Sequence, residues 1–323
     1  MDTTDSGQCL RDWPGLRDLA RLLAQRTWGS EPAGRQSGPS ACINLSDVHT
    51  GRRAHKGEGS FLRLPVVGCA GPKTRVDSPA ATWAWWMLRT YSRFMLRRSF
   101  DVYTEGADAV PPAGPVLIAA RHYHHLYDAC VFLATLPRPL SFVVALDWVD
   151  RPALRRLMEW ACRTARWPVV LRSEALRDPM ARAHRHRSAY SAAEVPAYLR
   201  RAVADTVGLL VQGRAVVVFP EGYPNIDPVY SPKGPAASSF VPFRPGFARF
   251  VILAERAARQ PIPIVPAGLH YSFAGRRAAV WLRFGGPWYV PRAAWSCSRA
   301  EQAEIIRRFI AAIESEVQAL SHP

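Results

Sequence analysis

Short apolar runs alternate, from residue 79 onward, with segments in which apolar residues recur every three or four positions. The apolar runs have the length and composition of buried strands, and they cover residues 100–103, 116–120, 141–146, 167–171, 215–219, 262–266 and 279–284, the last as a candidate edge strand. The segments with helical spacing lie at 129–136, 152–166, 196–212, 247–259 and 301–320. Strands that alternate with helices predict an α/β fold with a mainly parallel central sheet flanked by helices.

The first 78 residues differ from the rest of the chain. They are rich in Gly, Pro, Ser and Arg, and they show little periodicity over positions 29–77. Segments of this kind bury too little apolar surface to offset the entropy lost on folding. We therefore expect a low-complexity, disordered extension over residues 1–78 and one folded domain over residues 79–323.

The folded domain begins with an amphipathic helix, predicted at about residues 82–98. Large apolar side chains recur along one side of this helix, at Trp83, Trp86, Met87, Tyr91 and Phe94. Arginines spaced by four residues follow another side, at Arg89, Arg93 and Arg97. Aromatic and basic faces together suit the headgroup region of a bilayer, so we expect a membrane-docking helix. The alternative is a helix packed on its own domain, and both interpretations hold if one side packs and the other meets lipid.

The chain is strongly basic, since 42 Lys and Arg residues against 26 Asp and Glu give a formal net charge of +16. Only Lys56, Lys73 and Lys233 are lysines, and arginine binds phosphate groups through a bidentate fork. An anionic partner is therefore expected. The arginines are scattered, without a helix-turn-helix, RNP or zinc-finger pattern. This distribution favours an anionic membrane surface or a phosphorylated substrate over nucleic acid.

Signals for secretion, membrane insertion and metal binding are missing from the sequence pattern. The N-terminus is acidic and has no apolar signal core, and no apolar run approaches the ~18 residues of a spanning helix. The six cysteines form no C-x-x-C pair, so neither a zinc site nor a disulfide framework is indicated. We expect a peripheral protein on the cytoplasmic face of a membrane, with no metal and no cofactor.

Three loops that follow predicted strands carry the candidate chemistry. The first runs from His122 to Asp128, the second begins at Arg172, and the third contains Glu221 and Gly222. Loops at the carboxyl ends of parallel strands meet at one edge of a sheet. A histidine with a nearby carboxylate is the minimal general-base pair, and glycine lets a ligand approach the backbone. The set suits transfer of an electrophilic group to a hydroxyl of a phosphate-bearing acceptor.

Five motifs within residues 83–290 resemble, in order and spacing, those of the PlsC-like glycerophospholipid acyltransferases, which include lysophosphatidate and glycerol-3-phosphate acyltransferases. Residues 119–122 (A-A-R-H) with Asp128 are similar to the family's A-A-N-H-x-x-x-x-D block, and residues 219–222 match its F-P-E-G motif. Residues 167–172 (W-P-V-V-L-R) resemble its second block, which ends in Arg. Residues 243–248 (F-R-P-G-F-A) and 264–268 (I-V-P-A-G) resemble its F-K-x-G-x-A and V-P-V/A-G segments.

The resemblance implies direct transfer of a fatty acyl group from acyl-CoA or acyl carrier protein to a hydroxyl of a lysophospholipid or glycerol phosphate. In this scheme His122 removes the hydroxyl proton and Asp128 holds the imidazole ring. The residues expected at the substrate are Arg172 at the phosphate, Glu221 and Gly222 at the glycerol portion, Arg244 as a further cation, and Pro266 at the acyl pocket. The acyl donor is a co-substrate, and no cofactor is implied.

The chain departs from the family pattern at two places. Five residues separate His122 from Asp128, where the family has four, so one extra residue must be accommodated in the loop. His124, one helical turn before Asp128, is the alternative base. The family's E-G-T-R is replaced here by E-G-Y-P at residues 221–224. The missing arginine leaves Arg172, Arg244 or Lys233 as the cation for an acceptor phosphate.

Two other functions remain open on the sequence. The main alternative is a catalytically weak, lipid-binding relative with the same fold and an altered third motif. The other is a hydrolase or thioesterase that uses the same base on water. The sequence contains no G-x-S-x-G elbow, which counts against an acyl-serine route for such a hydrolase.

Overall fold

The computed structural model describes residues 78–177, 188–227, 231–233, 239–273, 277–291 and 298–322. The predicted extension at residues 1–78 lies outside the described residues, apart from Ser78. Ser78 caps the first described helix, because its hydroxyl accepts a hydrogen bond from the Ala81 backbone N–H at 3.3 Å.

Seven helices are given labels here, in chain order. They are α1 (Pro79–Ser99), α2 (Tyr127–Thr135), α3 (Pro152–Ala165), α4 (Ser173–Arg177), α5 (Val195–Val211), α6 (Gly246–Ala258) and α7 (Arg299–Leu320). The eight labelled strands are β1 (Phe100–Glu105), β2 (Val116–Ala120), β3 (Leu140–Phe142), β4 (Val144–Ala145), β5 (Val169–Val170), β6 (Ala215–Val218), β7 (Ile264–Ser272) and β8 (Ala278–Phe284). The predicted helices and strands are thus present, with shifts of a few residues at their ends.

Six strands form the central sheet, in the order β1-β8-β7-β2-β6-β3. β7, β2, β6 and β3 run parallel to one another. β8 is antiparallel to β7 and parallel to β1. The fold is therefore the expected α/β fold with a mainly parallel sheet. β2 lies near the centre of this sheet, so the loop that follows it emerges between the ends of β6 and β7.

Two strand predictions need correction. The apolar run 141–146 is not one strand: β3 belongs to the central sheet, whereas β4 pairs with β5 in a separate two-stranded sheet. The predicted strand at 167–171 therefore lies outside the central sheet. β8 is not an edge strand either, because β1 pairs with its outer side over six residue pairs.

Both faces of the central sheet are covered. On one face, Leu117 and Ala119 of β2 belong to a buried cluster that includes side chains of α5, α6 and α7. On the other face, the ring of Phe132 in α2 lies 6.0–6.4 Å from the rings of Phe142 and Phe284, centroid to centroid. The alternation of faces along β2 explains why all five of its residues are buried.

Helix α1 confirms the predicted amphipathic helix and leaves its aromatic side exposed. Trp83 and Trp86 keep 64% and 57% of their surface, and Met87, Tyr91 and Phe94 are also exposed. The opposite side of the helix buries Ala81, Ser92 and Leu96, so packing uses the small and aliphatic residues instead. No helix within the described part of the chain has both the length and the hydropathy to cross a bilayer.

Candidate active site

The His122–Asp128 pair forms at the carboxyl end of β2. His122 Nδ1 lies 2.8 Å from Asp128 Oδ2. The His122 side chain is 16% exposed, whereas that of Asp128 is fully buried. Because a carboxylate only accepts hydrogen bonds, the His122 proton sits on Nδ1 and Nε2 carries the free lone pair. The imidazole ring stacks on Phe219 with a centroid distance of 4.3 Å, which fixes its plane.

The extra residue of the loop is accommodated by hydrogen bonds to the same carboxylate. The backbone N–H groups of Tyr123 and His124 both donate to Asp128 Oδ2, at 2.7 and 3.0 Å. Asp128 lies in the first turn of α2. The loop thus folds around one oxygen atom, and the longer spacing brings His122, rather than Tyr123 or His124, to the carboxylate.

The alternative base, His124, occupies a different position. It is 4% exposed, and its Nδ1 accepts hydrogen bonds from the backbone N–H groups of Leu126 and Tyr127 at 3.2 and 3.4 Å. Burial, together with the nearby His125 and His122, holds the pKa of His124 well below its usual 6.5. His124 is therefore a neutral ring that stabilises the start of α2, and its side chain makes no hydrogen bond to Asp128 in the described contacts.

Glu221 lies beside His122, but it does not face an open acceptor site. Its side chain is fully buried and pairs with Lys233, with Nζ 2.6 Å from Oε2. Glu221 Oε1 accepts the His122 backbone N–H at 3.0 Å, and Oε2 accepts the Val241 N–H at 3.1 Å. Every described partner of this carboxylate belongs to the protein, and the contact between Glu221 and a glycerol portion stays a prediction.

Lys233 was one of three candidates for the missing phosphate-binding cation. Its ammonium group is buried between Glu221 and the His122 carbonyl oxygen, to which it donates a hydrogen bond at 2.7 Å. Burial lowers the pKa of Lys233, and the neighbouring Glu221 carboxylate opposes that shift. A buried ammonium that is already paired is unsuited to binding a substrate phosphate.

Arg172 also differs from the expectation. It is buried and forms a bidentate pair with Asp147, with Nε 3.0 Å from Oδ1 and Nη2 2.9 Å from Oδ2. Its Nη1 donates to the Gly222 carbonyl oxygen at 2.9 Å. The phosphate-binding role of Arg172 stays a prediction, and these contacts occupy its guanidinium within the protein. Arg172 instead holds the small β4-β5 sheet to the loop after β6, and Asp147 was not identified as its partner from the sequence.

Gly222 and Arg244 lie together at the loop after β6. Gly222 has φ +77°, a conformation that favours glycine, and a Cβ placed there would lie 3.1 Å from Arg244 Nε. The Arg244 side chain remains 44% exposed and pairs with Glu174 of α4. Tyr223 is buried, with the guanidinium carbons of Arg172 and Arg244 at 4.2 and 5.6 Å from its ring centroid. Arg244 is therefore the most accessible of the three candidate cations.

Strand β7 contributes two residues near the pair. Pro266 is buried opposite Ala119 in the β2–β7 register, within the sheet. Tyr271 was not predicted: its hydroxyl donates to Asp128 Oδ1 at 2.8 Å. Burial and the Asp128 carboxylate raise the pKa of Tyr271 well above 10, so it stays a hydrogen-bond donor. The sequence signal was faint, namely a Tyr five residues beyond Pro266 in the same strand.

The described contacts hold the His122–Asp128 pair in a fixed position. Asp128 accepts four hydrogen bonds and is thereby immobilised. Among the residues that the structure describes, no group of three or more His, Cys, Asp or Glu side chains is arranged to hold a metal ion. The arrangement suits general-base chemistry at His122 Nε2.

Comparisons with known proteins agree with the motif pattern. The model of a family described as Acyltransferase matches residues 101–270, just over half of the chain. No curated protein matches the sequence. The crystal structure of the 1-acyl-sn-glycerophosphate (LPA) acyltransferase PlsC from Thermotoga maritima is similar at 16% identity and a TM-score of 0.44, covering 75% of this chain and 82% of that one.

Proposed function

Because the chain belongs to the PlsC-like acyltransferase family, we propose that it moves a fatty acyl group from a thioester donor to a hydroxyl of a lysophospholipid or glycerol phosphate. The observation that carries this proposal is the 2.8 Å contact between His122 Nδ1 and the buried Asp128 carboxylate. It leaves Nε2 of a partly exposed imidazole as the acceptor of the hydroxyl proton. The family match covers both residues.

The proposed reaction is a direct transfer. His122 Nε2 takes the proton of the acceptor hydroxyl while its oxygen attacks the thioester carbonyl carbon. Asp128 stabilises the imidazolium that forms. The C–S bond then breaks, and the proton on Nε2 passes to the departing thiolate, so that an ester and a free thiol are released. A well-positioned base contributes about 10²–10⁴-fold to such a step.

The donor is proposed to be acyl-CoA or acyl carrier protein, since both carry acyl groups as thioesters. For an acceptor that bears a phosphate, Arg244 is the proposed contact. It is half-exposed beside Gly222, whereas the guanidinium of Arg172 and the ammonium of Lys233 are buried. An incoming phosphate would compete with Glu174 for the Arg244 fork. The lack of a side chain at Gly222 lets the Arg244 guanidinium lie against the backbone there.

Membrane docking is proposed as the means by which the enzyme reaches its lipid acceptor. The exposed aromatic side of α1 supports this proposal, and α3 also has exposed apolar side chains, at Leu157 and Trp160. Helices α1 and α3 are in contact. Arg97 and Arg98 at the end of α1 add positive charge, which favours an anionic surface. We propose a peripheral position on the cytoplasmic face.

The test is an assay with radiolabelled acyl-CoA and acyl carrier protein as donors and a panel of lysophospholipids and glycerol 3-phosphate as acceptors. Mass spectrometry of the lipid products identifies acceptor and chain length. A diacyl product that depends on both substrates is the expected result. Lipid binding without any ester product would favour the catalytically weak relative instead. Free fatty acid without an acylated acceptor would favour a thioesterase.

A further inference from the structure

We propose that Lys233 and Glu221 act together as positioning residues that hold the backbone of His122, an inference that rests on the proposed use of His122 as the base. The two side chains are called the clamp below. Neither is assigned to the substrate in this proposal. They act through His122 alone.

The clamp grips the peptide groups on both sides of the His122 Cα. Glu221 Oε1 accepts the His122 N–H at 3.0 Å, and Lys233 Nζ donates to the His122 carbonyl oxygen at 2.7 Å. The two clamp residues are joined to each other by the 2.6 Å contact between Nζ and Oε2. With the backbone held by the clamp and Nδ1 held by Asp128, the direction of Nε2 is fixed.

The burial of the clamp argues for positioning rather than for stability. Both side chains are fully buried, and a buried ion pair contributes little net stability because removing its charges from water is costly. The loop that carries Lys233 is itself tied down: Ser231 accepts the Lys233 backbone N–H at 3.2 Å and donates to the Pro224 carbonyl oxygen. Two parts of the segment between β6 and α6 are thus organised around one residue, the candidate base.

The competing interpretation is that the clamp only fastens the loop after β6 to the domain. Both interpretations predict lower stability when the clamp is broken. Only the positioning role predicts a loss of kcat that disappears once His122 has been removed, because residues that act as a unit are not additive. The experiment therefore compares the clamp substitutions in the presence and in the absence of the His122 side chain.

The measurement uses the full-length chain and the acyl-transfer assay with the acceptor and donor that the product analysis identifies. Lys233→Met removes the ammonium but leaves Glu221 buried without its cation, which endangers folding. The double variant Lys233→Met with Glu221→Gln removes both charges and keeps an oxygen that accepts the His122 N–H. Arg155→Met is the matched control, because Arg155 forms a partly buried 2.6 Å ion pair with Glu194 that does not contact His122.

We expect kcat of the folded clamp variants to fall about tenfold or more, while KM for both substrates changes by less than about twofold, because a small misplacement of a base is costly in rate. In a His122→Ala background the same substitutions should change the residual rate by less than about twofold. Arg155→Met should lower the melting temperature and leave kcat near the wild-type value.

Two results would contradict the positioning role of the clamp. One is an unchanged kcat in the folded double variant. The other is an equal loss of rate in the wild-type and His122→Ala backgrounds, which would indicate a general structural effect. Failure of the proposed function has a different signature, since His122→Ala would then retain near-normal acyl transfer by itself.

Discussion

The surroundings of Asp128 and the outer face of α1 use similar residues in opposite ways. Around Asp128, each oxygen of the carboxylate accepts hydrogen bonds from groups of the protein, and Arg172 and Lys233 are paired with Asp147 and Glu221. On α1, aromatic rings lie in solvent beside arginines. The polar groups around Asp128 find their partners within the folded domain. The aromatic rings of α1 have no such cover and are available to a partner outside the domain.

This difference indicates which region fixes the geometry of the site and which region binds an external partner. The buried charged residues near the site are paired with groups of the protein, so they fix geometry. Exposed large apolar residues contribute nothing to the core, and a contiguous set of them indicates an interaction surface. Substitutions in the first region should therefore change the rate of chemistry, and those in the second should change partitioning to lipid.

The largest effect is expected for His122→Ala. Loss of a positioned general base should lower kcat by at least about 10²-fold, and the chain should stay folded because Asp128 keeps three other hydrogen-bond donors. Steady-state acyl transfer and circular dichroism measure the two quantities. His124→Ala is the comparison variant and should retain most of the activity. If His124→Ala abolishes transfer while His122→Ala does not, the assignment of the base is wrong.

Substitution of the exposed tryptophans should weaken the binding of α1 to lipid and leave the site around Asp128 unchanged. Each Trp that inserts about half of its surface into a bilayer contributes about 1–1.5 kcal/mol, so Trp83→Ser with Trp86→Ser should weaken vesicle binding roughly 10²-fold. Sedimentation with phosphatidylglycerol-containing vesicles measures the change. Leu199→Ser, an exposed apolar residue on α5, serves as the control. Equal loss of binding in the control would contradict the assignment of this surface to α1.

Sequence patterns predicted most of the fold because burial on both faces of a parallel strand produces an unbroken apolar run, as at β2 and β6. They did not separate β4 from β3, since one apolar run serves two sheets there. The edge position of β1 also escaped prediction. Its residues after Phe100 are exposed, and strand pairing with a partner far along the chain leaves no local signature.

The sequence identified residues of the candidate site but not most of the contacts between them. Strand-end loops brought His122, Asp128 and Glu221 together as expected, because parallel strands share an edge. One partner of the predicted arginine and one of the predicted aspartate were not foreseen. Asp147 lies 25 residues from Arg172, and Tyr271 lies 143 residues from Asp128. Such pairs depend on the packing of distant elements, which residue type and spacing alone do not encode.

Tyr271→Phe should lower kcat by less than the loss of the base does. Removing the hydroxyl leaves Asp128 Oδ1 without its 2.8 Å donor, and a hydrogen bond to a charged group contributes about 1.5–3 kcal/mol. If about half of that is lost from the transition state, kcat falls roughly tenfold. Steady-state kinetics and thermal melting are the measurements.

The matched control for this variant is Tyr190→Phe. Tyr190 is a buried tyrosine that donates to Glu159 at 3.1 Å, away from the candidate site. It should lose comparable stability and keep its kcat. A Tyr271→Phe enzyme with normal kcat would show that the other three hydrogen bonds suffice to hold Asp128.

The smallest effect concerns the pH dependence of stability around His124. Its pKa is well below 6.5 because the ring is buried and lies near His125 and His122. As the pH falls below about 6.5, the unfolded chain takes up a proton that the folded chain refuses, so the free energy of unfolding decreases by up to about 1.4 kcal/mol per pH unit. Urea unfolding between pH 7 and 5 measures this slope.

His124→Asn should make that slope shallower, because the amide oxygen can accept the N–H groups of Leu126 and Tyr127 but cannot titrate. Glu255 tests the sign of this pH dependence, because its titration changes the free energy of unfolding in the opposite direction. Its pKa is raised to about 7 by burial, so the folded chain holds a proton that the unfolded chain has released, and stability is lost as the pH rises toward 7. Glu255→Gln removes this opposing contribution and should steepen the slope. Equal slopes in the wild type and His124→Asn would mean that the His124 ring is open to water, which would remove the contrast with α1.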